Sequence, residues 1–261
     1  MSRTIVVTGA GSGIGACVRE RYLKEGDLVI GVDLRGADIE ADLSTPEGRA
    51  AAVAAVTETV GPDGAVDALI TCAGLSVDKE VTVRVNYFGT TEVVAGLRPL
   101  LAASPAPRVV LIGSIAGGAH PNDPAVIDAC LSGDETAAVA AARAAVEAGS
   151  GYVLYPSSKN AVAQWARRTA VSAGWADAGI AVNVVAPGIV LTPMSAELFA
   201  DAQMKELMDA AVPMPLHGYA AADDVARVVC FLADAATTHV TGQVLYVDGG
   251  AETTLRPTTQ F

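Results

Sequence analysis

Histidine, cysteine and basic side chains are all in short supply in this chain. The three histidines (His120, His217, His239) lie far apart, with no partner at i+3 or i+4, and the four cysteines (Cys17, Cys72, Cys130, Cys230) show no paired spacing. These patterns exclude a metal site of the usual ligand spacing, and scattered thiols predict reduced cysteines in a cytoplasmic protein. Only 17 Lys and Arg stand against 29 Asp and Glu, a net charge of −12. Such a surface repels phosphate backbones and anionic headgroups, so neither nucleic acid nor membrane is an expected partner. No run of about 18 apolar residues is free of charge, Gly or Pro, which excludes a membrane-spanning helix. Near the N-terminus a glycine cluster stands where a signal peptide would carry its apolar core and cleavage site, so no segment is expected to be cut off.

Glycine, by contrast, is concentrated where it matters. Thr8-Gly9-Ala10-Gly11-Ser12-Gly13-Ile14-Gly15 follows the apolar run Thr4-Ile5-Val6-Val7 and precedes an amphipathic stretch. A strand therefore turns into a helix N-terminus, whose free N–H groups and dipole attract a pyrophosphate that side-chain-free glycines allow to come close. The same turn without a ligand is an ordinary structural solution; the strand before it and the helix after it favour dinucleotide binding.

Along the 261 residues, helical and strand patterns alternate. After a helix over Gly13–Lys24 stopped at Gly26, strands are expected at Leu28–Val32, Ile39–Ala41, Val66–Cys72, Arg108–Gly113, Ile180–Ala186 and Val244–Val247. Helices are expected at Pro46–Val60, Lys79–Leu101, Tyr155–Ala173 and Ala222–Leu232. Strands that are apolar throughout, separated by helices, predict one α/β domain. It is a doubly wound parallel sheet, the Rossmann fold, of about seven strands with helices on both faces. Too few residues separate Asp33 from Ile39 for a crossover helix, which opens the adenine side. Asp33 lies 18 residues beyond Gly15, where a carboxylate accepts hydrogen bonds from ribose hydroxyls and repels a 2′-phosphate. This favours NAD over NADP, with Arg35 as the counter-argument.

Tyr155 and Lys159, in Tyr155-Pro156-Ser157-Ser158-Lys159, fall one helical turn apart on one face. A phenol titrates near pH 10, and an adjacent ammonium and a cationic nicotinamide both favour the phenolate, so the pair can move a proton. Alone it would read as a surface helix pair. Ser114 at a strand end and Asn86 in a neighbouring helix add force, because both fall at the crevice of a doubly wound sheet.

Taken together, these segments resemble the short-chain dehydrogenase/reductase family over nearly the whole chain. The resemblance rests on the glycine turn, Cys72-Ala73-Gly74, the set Asn86, Ser114, Tyr155 and Lys159, Pro187-Gly188-Ile189-Val190-Leu191-Thr192-Pro193, and Val247-Asp248-Gly249-Gly250. It implies Tyr155 as general acid/base, Ser114 polarising the substrate oxygen, Lys159 on the nicotinamide ribose and lowering the tyrosine pKa, and Asn86 holding a relay water. It also implies cofactor contacts at Thr8, Gly9, Gly11, Ser12, Gly13, Ile14, Gly15, Asp33, Asp42, Leu43, Cys72, Ala73, Gly74, Pro187 and Gly188, with Ile189 and Thr192 receiving the carboxamide. Cys72 replaces the family's asparagine and leaves that position's hydrogen bonding in question. Within the family, Ala41-Asp42-Leu43-Ser44-Thr45-Pro46-Glu47-Gly48-Arg49, Val85-Asn86-Tyr87-Phe88-Gly89 and Arg256-Pro257-Thr258-Thr259-Gln260-Phe261 resemble the bacterial 3α-hydroxysteroid dehydrogenase/carbonyl reductase group, and coniferyl-alcohol dehydrogenases look similar.

Two segments are particular to this chain. Ser114 and Tyr155 are 41 residues apart, and the alanine-rich interval, about 119–152 at its widest, reads as a helical insertion. It either obstructs the family's usual tetramer packing, leaving a dimer among the expected homo-oligomers, or points outward without effect. Between Pro193 and His217, Leu198, Phe199, Met204, Leu207, Met208 and Val212 recur at helical intervals, as part of the core or as an apolar lid over a bulky alcohol. Three functions share these features: an NAD-dependent dehydrogenase of bulky apolar secondary alcohols and ketones, hydroxysteroid-like; an aryl-alcohol dehydrogenase; and a non-catalytic NAD sensor.

Overall fold

The computed structural model describes residues 2–196 and 202–258. The chain begins β1 (Thr4–Thr8), α1 (Gly13–Glu25), β2 (Leu28–Asp33), β3 (Ile39–Glu40), α2 (Pro46–Val60) and β4 (Ala68–Thr71). There follow α3 (Val81–Val83), a π-turn over Arg84–Phe88, α4 (Gly89–Ala102), β5 (Arg108–Ile112) and α5 (Ile115–Ala119). Next come α6 (Pro124–Ser132), α7 (Glu135–Glu147), α8 (Leu154–Thr169), β6 (Ala181–Pro187) and β7 (Val190–Leu191). The remainder is α9 (Pro193–Ala196), α10 (Ala202–Ala211), β8 (Ala220–Ala221), α11 (Ala222–Ala233), β9 (Val244–Val247) and α12 (Ala251–Leu255).

Seven strands form one parallel sheet in the order β3-β2-β1-β4-β5-β6-β9. β4, β5 and β6 are buried along their whole length, as a sheet covered on both faces requires. One apolar layer contains Val56, Phe88, Leu97 and Val162 from α2, the π-turn, α4 and α8. The other contains Val18 from α1 with Val225 and Val229 from α11. Because the chain winds outward in both directions from β1 and β4, a crevice opens beyond their C-terminal ends, where such folds bind ligands. No helix among the described residues is long and apolar enough to cross a membrane.

Local chemistry sets the boundaries. Gly26, at φ +84°, ends α1, and Thr45 caps α2 through a 3.0 Å bond from the Gly48 N–H, with Pro46 in the first turn. The link after Asp33 has no helix, as its length predicts. β3 pairs through only two residues, Val32 with Ile39 and Asp33 with Glu40. Beyond it the Asp38 carboxylate accepts the Gly31 N–H at 2.8 Å, in place of a longer strand, and Arg19 holds Asp38 at 3.1 Å. The helix expected over Lys79–Leu101 is divided: its middle is the π-turn, so Asn86 sits on a widened turn. α5, α9, α12 and the β7–β8 pair were not expected from the pattern, being too short for periodicity to register.

The interval between Ser114 and Tyr155 holds α6 and α7. Asp123 and Asp134 cap these helices, each carboxylate accepting a backbone N–H at 2.8 and 2.9 Å. α6 packs on α8, fixed by a 2.8 Å bond from the Asp123 N–H to the Ser157 hydroxyl.

Candidate active site

The glycine turn is built by close approach. Gly9 has φ +69°, and a Cβ there would stand 2.6 Å from the Ala73 nitrogen; one on Gly15 would stand 2.1 Å from the Gly9 carbonyl oxygen. Only bare main chain allows β1, the turn and the 72–74 segment to pack this tightly. Ser12 is the N-cap of α1 and makes no side-chain cap bond, so its hydroxyl and the first N–H groups of α1 stay available to a ligand. Gly15→Ala is expected to push the turn apart and weaken NADH binding by about tenfold or more, measured by fluorescence titration. An unchanged affinity would contradict this packing argument.

At the end of β2 the Asp33 carboxylate accepts the Gly11 and Leu34 N–H groups at 2.8 and 2.6 Å. Those two bonds fix it facing the glycine turn. Arg35 is exposed. Asp42 is held below its usual carboxylate range by hydrogen bonds from Ser44, the backbone one at 2.9 Å, and Leu43 is buried beside it.

Ser114 follows β5 and caps α5, its hydroxyl accepting the Ala116 N–H at 3.2 Å. Tyr155, in the first turn of α8, is half-buried. Burial pushes the phenol up, and the nearby Ser114 hydroxyl opposes it. Lys159 lies one turn along α8, 5% exposed, with Nζ 6.0 Å from the Tyr155 ring centre and donating to the Ile112 carbonyl at 2.8 Å. Burial lowers the Lys159 amine to about 8. The lowered tyrosine pKa expected from the Tyr155–Lys159 spacing is therefore not a property of these two side chains by themselves. The lysine is turned to a carbonyl, and desolvation dominates at both groups.

Asn86 sits on the π-turn. Its side chain is fully buried, accepting the Leu75 N–H at 2.8 Å and donating to the Leu75 carbonyl at 2.9 Å and the Ser158 hydroxyl at 3.0 Å. Both amide hydrogens are spent, so the side chain pins the loop after β4 to α8 instead of facing the cavity. Ser158, unremarked in the sequence, is the other half of this clamp; its hydroxyl also donates to the Tyr155 carbonyl at 2.8 Å. The Cys72 thiol is pushed up to about 12 by burial, and the Cys72 N–H is satisfied by the Thr8 carbonyl at 2.9 Å, so the main-chain path survives without the family's asparagine.

One cavity of about 820 Å3 joins these groups. Gly9, Ser12, Gly13, Ile14, Gly15, Asp33, Asp42, Leu43, Cys72, Ala73, Gly74, Ser114, Tyr155, Lys159, Pro187, Gly188, Ile189 and Thr192 all line it. Thr8, Gly11 and Asn86 do not: Thr8 is buried, its hydroxyl accepting the Ala73 N–H at 3.3 Å. Sequence reasoning missed Leu75, Ile115, Pro156 and Met194 on the apolar side; nothing but their nearness to the motifs marked them. Of the expected lid stripe, Met208 and Val212 line the cavity and pack near Ile115 and Ile189. Met204 and Leu207 are exposed, and Leu198 and Phe199, like Thr259, Gln260 and Phe261, lie outside the described residues. Among the described residues no cluster of His, Cys, Asp and Glu could hold a metal ion.

A short chain dehydrogenase family model matches residues 3–126, and an enoyl-(acyl carrier protein) reductase model matches residues 125–252. The 3-alpha-hydroxysteroid dehydrogenase/carbonyl reductase of Comamonas testosteroni is 36% identical, across 97% of this chain and 98% of that one. The 3beta-hydroxysteroid dehydrogenase 1 of Eggerthella lenta is 31% identical over 99% of this chain and 96% of its own. The crystal structure of the 3-alpha-hydroxysteroid dehydrogenase from Pseudomonas sp. B-0831 complexed with NADH superposes with a TM-score of 0.89 at 38% identity, covering 98% of this chain and 100% of that one. The chain belongs to the short-chain dehydrogenase/reductase family and is an oxidoreductase acting on alcohol and carbonyl groups.

Proposed function

We propose that this protein interconverts bulky apolar secondary alcohols and ketones using NAD(H), with 3α-hydroxysteroids as the first substrates to test. The observation that carries the reading is that Ser114, Tyr155 and Lys159 line the same cavity as the glycine turn. The residues present fit a dinucleotide: a Cβ would fill the cradle at Gly9 and Gly15, and the Asp33 carboxylate stands at its ribose end. When bound, the nicotinamide gives or takes the hydride.

The chain supplies the rest. Tyr155 takes the hydroxyl proton during oxidation and returns it during reduction, and Ser114 holds the same oxygen in line. Lys159, shielded from water, holds the cofactor ribose and adds positive charge near the phenol when protonated. Because the Asn86 side chain is spent on Leu75 and Ser158, a relay water at this position would be held by the main-chain carbonyl of the π-turn. Ile115, Met194, Met208 and Val212 make the substrate side apolar, with α9 and α10 as its lid.

Substrate and cofactor choice are both read by NADH absorbance over a panel of steroid, terpenoid and aryl alcohols, with NAD and with NADP. Steroid turnover with NAD supports the reading; preference for aryl alcohols replaces the substrate class, and tight NADH binding without any turnover leaves a sensor. Asp33→Ser removes the charge that opposes a 2′-phosphate. The variant is expected to shift the kcat/KM ratio towards NADP by at least about tenfold, or about 1.4 kcal/mol; an unmoved ratio would leave Asp33 without that role. The reading also includes a homo-oligomer, a dimer in preference to a tetramer, because α6 covers part of α8 beside Tyr155. A tetramer by light scattering counts against this arrangement.

A further inference from the structure

The helical segment between Ser114 and Tyr155 is wired to the far end of the cavity. Glu135, the first residue of α7, places one carboxylate oxygen 2.5 Å from Arg49 Nη2, and its other oxygen takes a 3.0 Å bond from Arg84. Arg49, on α2, is 1% exposed. Its Nε donates to Glu92 on α4 at 2.7 Å, and its Nη1 donates to the Leu43 carbonyl at 3.3 Å. Leu43 is wedged: a Cβ on Gly89 would stand 3.1 Å from its carbonyl oxygen, and one on Gly48 would stand 2.0 Å from the carbonyl oxygen of Asp42. Asp42 and Leu43 line the cavity on the side where Asp33 faces the glycine turn.

A buried guanidinium has five donors to satisfy and one charge to balance. Glu92 is about half exposed on its side chain, at 46%, whereas Glu135 is at 18%. The better-shielded partner of Arg49 is thus the one supplied by the helical segment. Without that charge, Arg49 is left with a single carboxylate nearer the solvent, and moving toward it draws Nη1 off the Leu43 carbonyl.

We infer that Glu135 is a positioning residue for the adenosine end of the cofactor site, acting through Arg49 on the Asp42–Leu43 wall. The helical segment thus takes part in cofactor binding without touching the cofactor. The inference rests on the dinucleotide reading above, and its test is a binding measurement that needs no turnover.

Glu135→Gln keeps the shape and removes the charge; Arg143→Ala cuts a different tie of the same segment, the exposed 3.1 Å pair with Glu80. Titrated with ADP-ribose and, separately, reduced nicotinamide mononucleotide, Glu135→Gln is expected to bind ADP-ribose about tenfold more weakly. The mononucleotide should bind as it does to the parent, and Arg143→Ala should change neither. A Glu135→Gln protein that melts lower but holds ADP-ribose as tightly as the parent overturns the inference, as does equal weakening toward both ligands. Failure of the parent chain itself to bind ADP-ribose sinks the dinucleotide reading instead.

Discussion

Replacing Tyr155 by phenylalanine is expected to lower kcat about 100- to 10,000-fold while leaving the affinity for NADH close to that of the parent. The ring stays, so α8 and the clamp between Asn86 and Ser158 keep their packing; only the phenol hydroxyl is lost. The pH dependence carries a sign as well. Burial raises the phenol, so alcohol oxidation, which needs a phenolate to receive the proton, should rise toward alkaline pH. Ketone reduction, which needs the protonated form, should fall over the same range. Initial rates of both directions against pH check this, and a variant with near-normal turnover would remove Tyr155 from the chemistry.

Lys159→Met should lose activity and gain stability. The Lys159 amine falls from 10.5 to about 8 in the fold because burial disfavours the charged form. Between about 8 and 10.5 the unfolded chain binds more protons than the folded one, so stability rises with pH across that window. At pH 7 the folded protein bears the whole cost of the buried charge, at most about 3 kcal/mol. The 2.8 Å bond to Ile112 offsets part of it. Methionine fills a similar volume without charge, so the variant measured without cofactor should melt about 2 °C or more above the parent at pH 7. That gap should narrow as the pH is raised. A variant that melts lower at pH 7, or a gap indifferent to pH, contradicts a desolvated lysine held for function.

Much of the frame is legible in the sequence because local rules and tertiary demands agree there. The runs at Ala68–Thr71 and Arg108–Ile112, apolar but for Thr71 and Arg108, have no face to give to water, so they become central parallel strands. The glycine turn and the Gly26 stop are each decided by a few adjacent residues. Even the missing crossover after Asp33 follows from chain length.

What escaped the sequence depends on partners far along the chain. Nothing in Arg84-Val85-Asn86-Tyr87-Phe88 announces a π-turn; Asn86 is committed there by Leu75 and by Ser158, 72 residues on. Helical spacing rightly puts Tyr155 and Lys159 on one face, yet it is silent on the Ile112 carbonyl that captures the amine and on the burial that governs both pKa values. The alanine-rich interval reads as helical, but the reach of Glu135 to Arg49, 86 residues away, appears only once the chain is folded.

The central claim is spatial: one phenol must meet the reacting oxygen while the nicotinamide faces the carbon that bears it. A crystal structure of the protein with NADH and a bound 3-ketosteroid measures this directly. The account predicts the ketone oxygen within about 2.6 to 3.2 Å of both the Tyr155 and Ser114 hydroxyls, with the nicotinamide ring over the carbonyl carbon on the side of the Pro187–Thr192 loop. A steroid bound elsewhere, or a nicotinamide lying away from Tyr155, would contradict it.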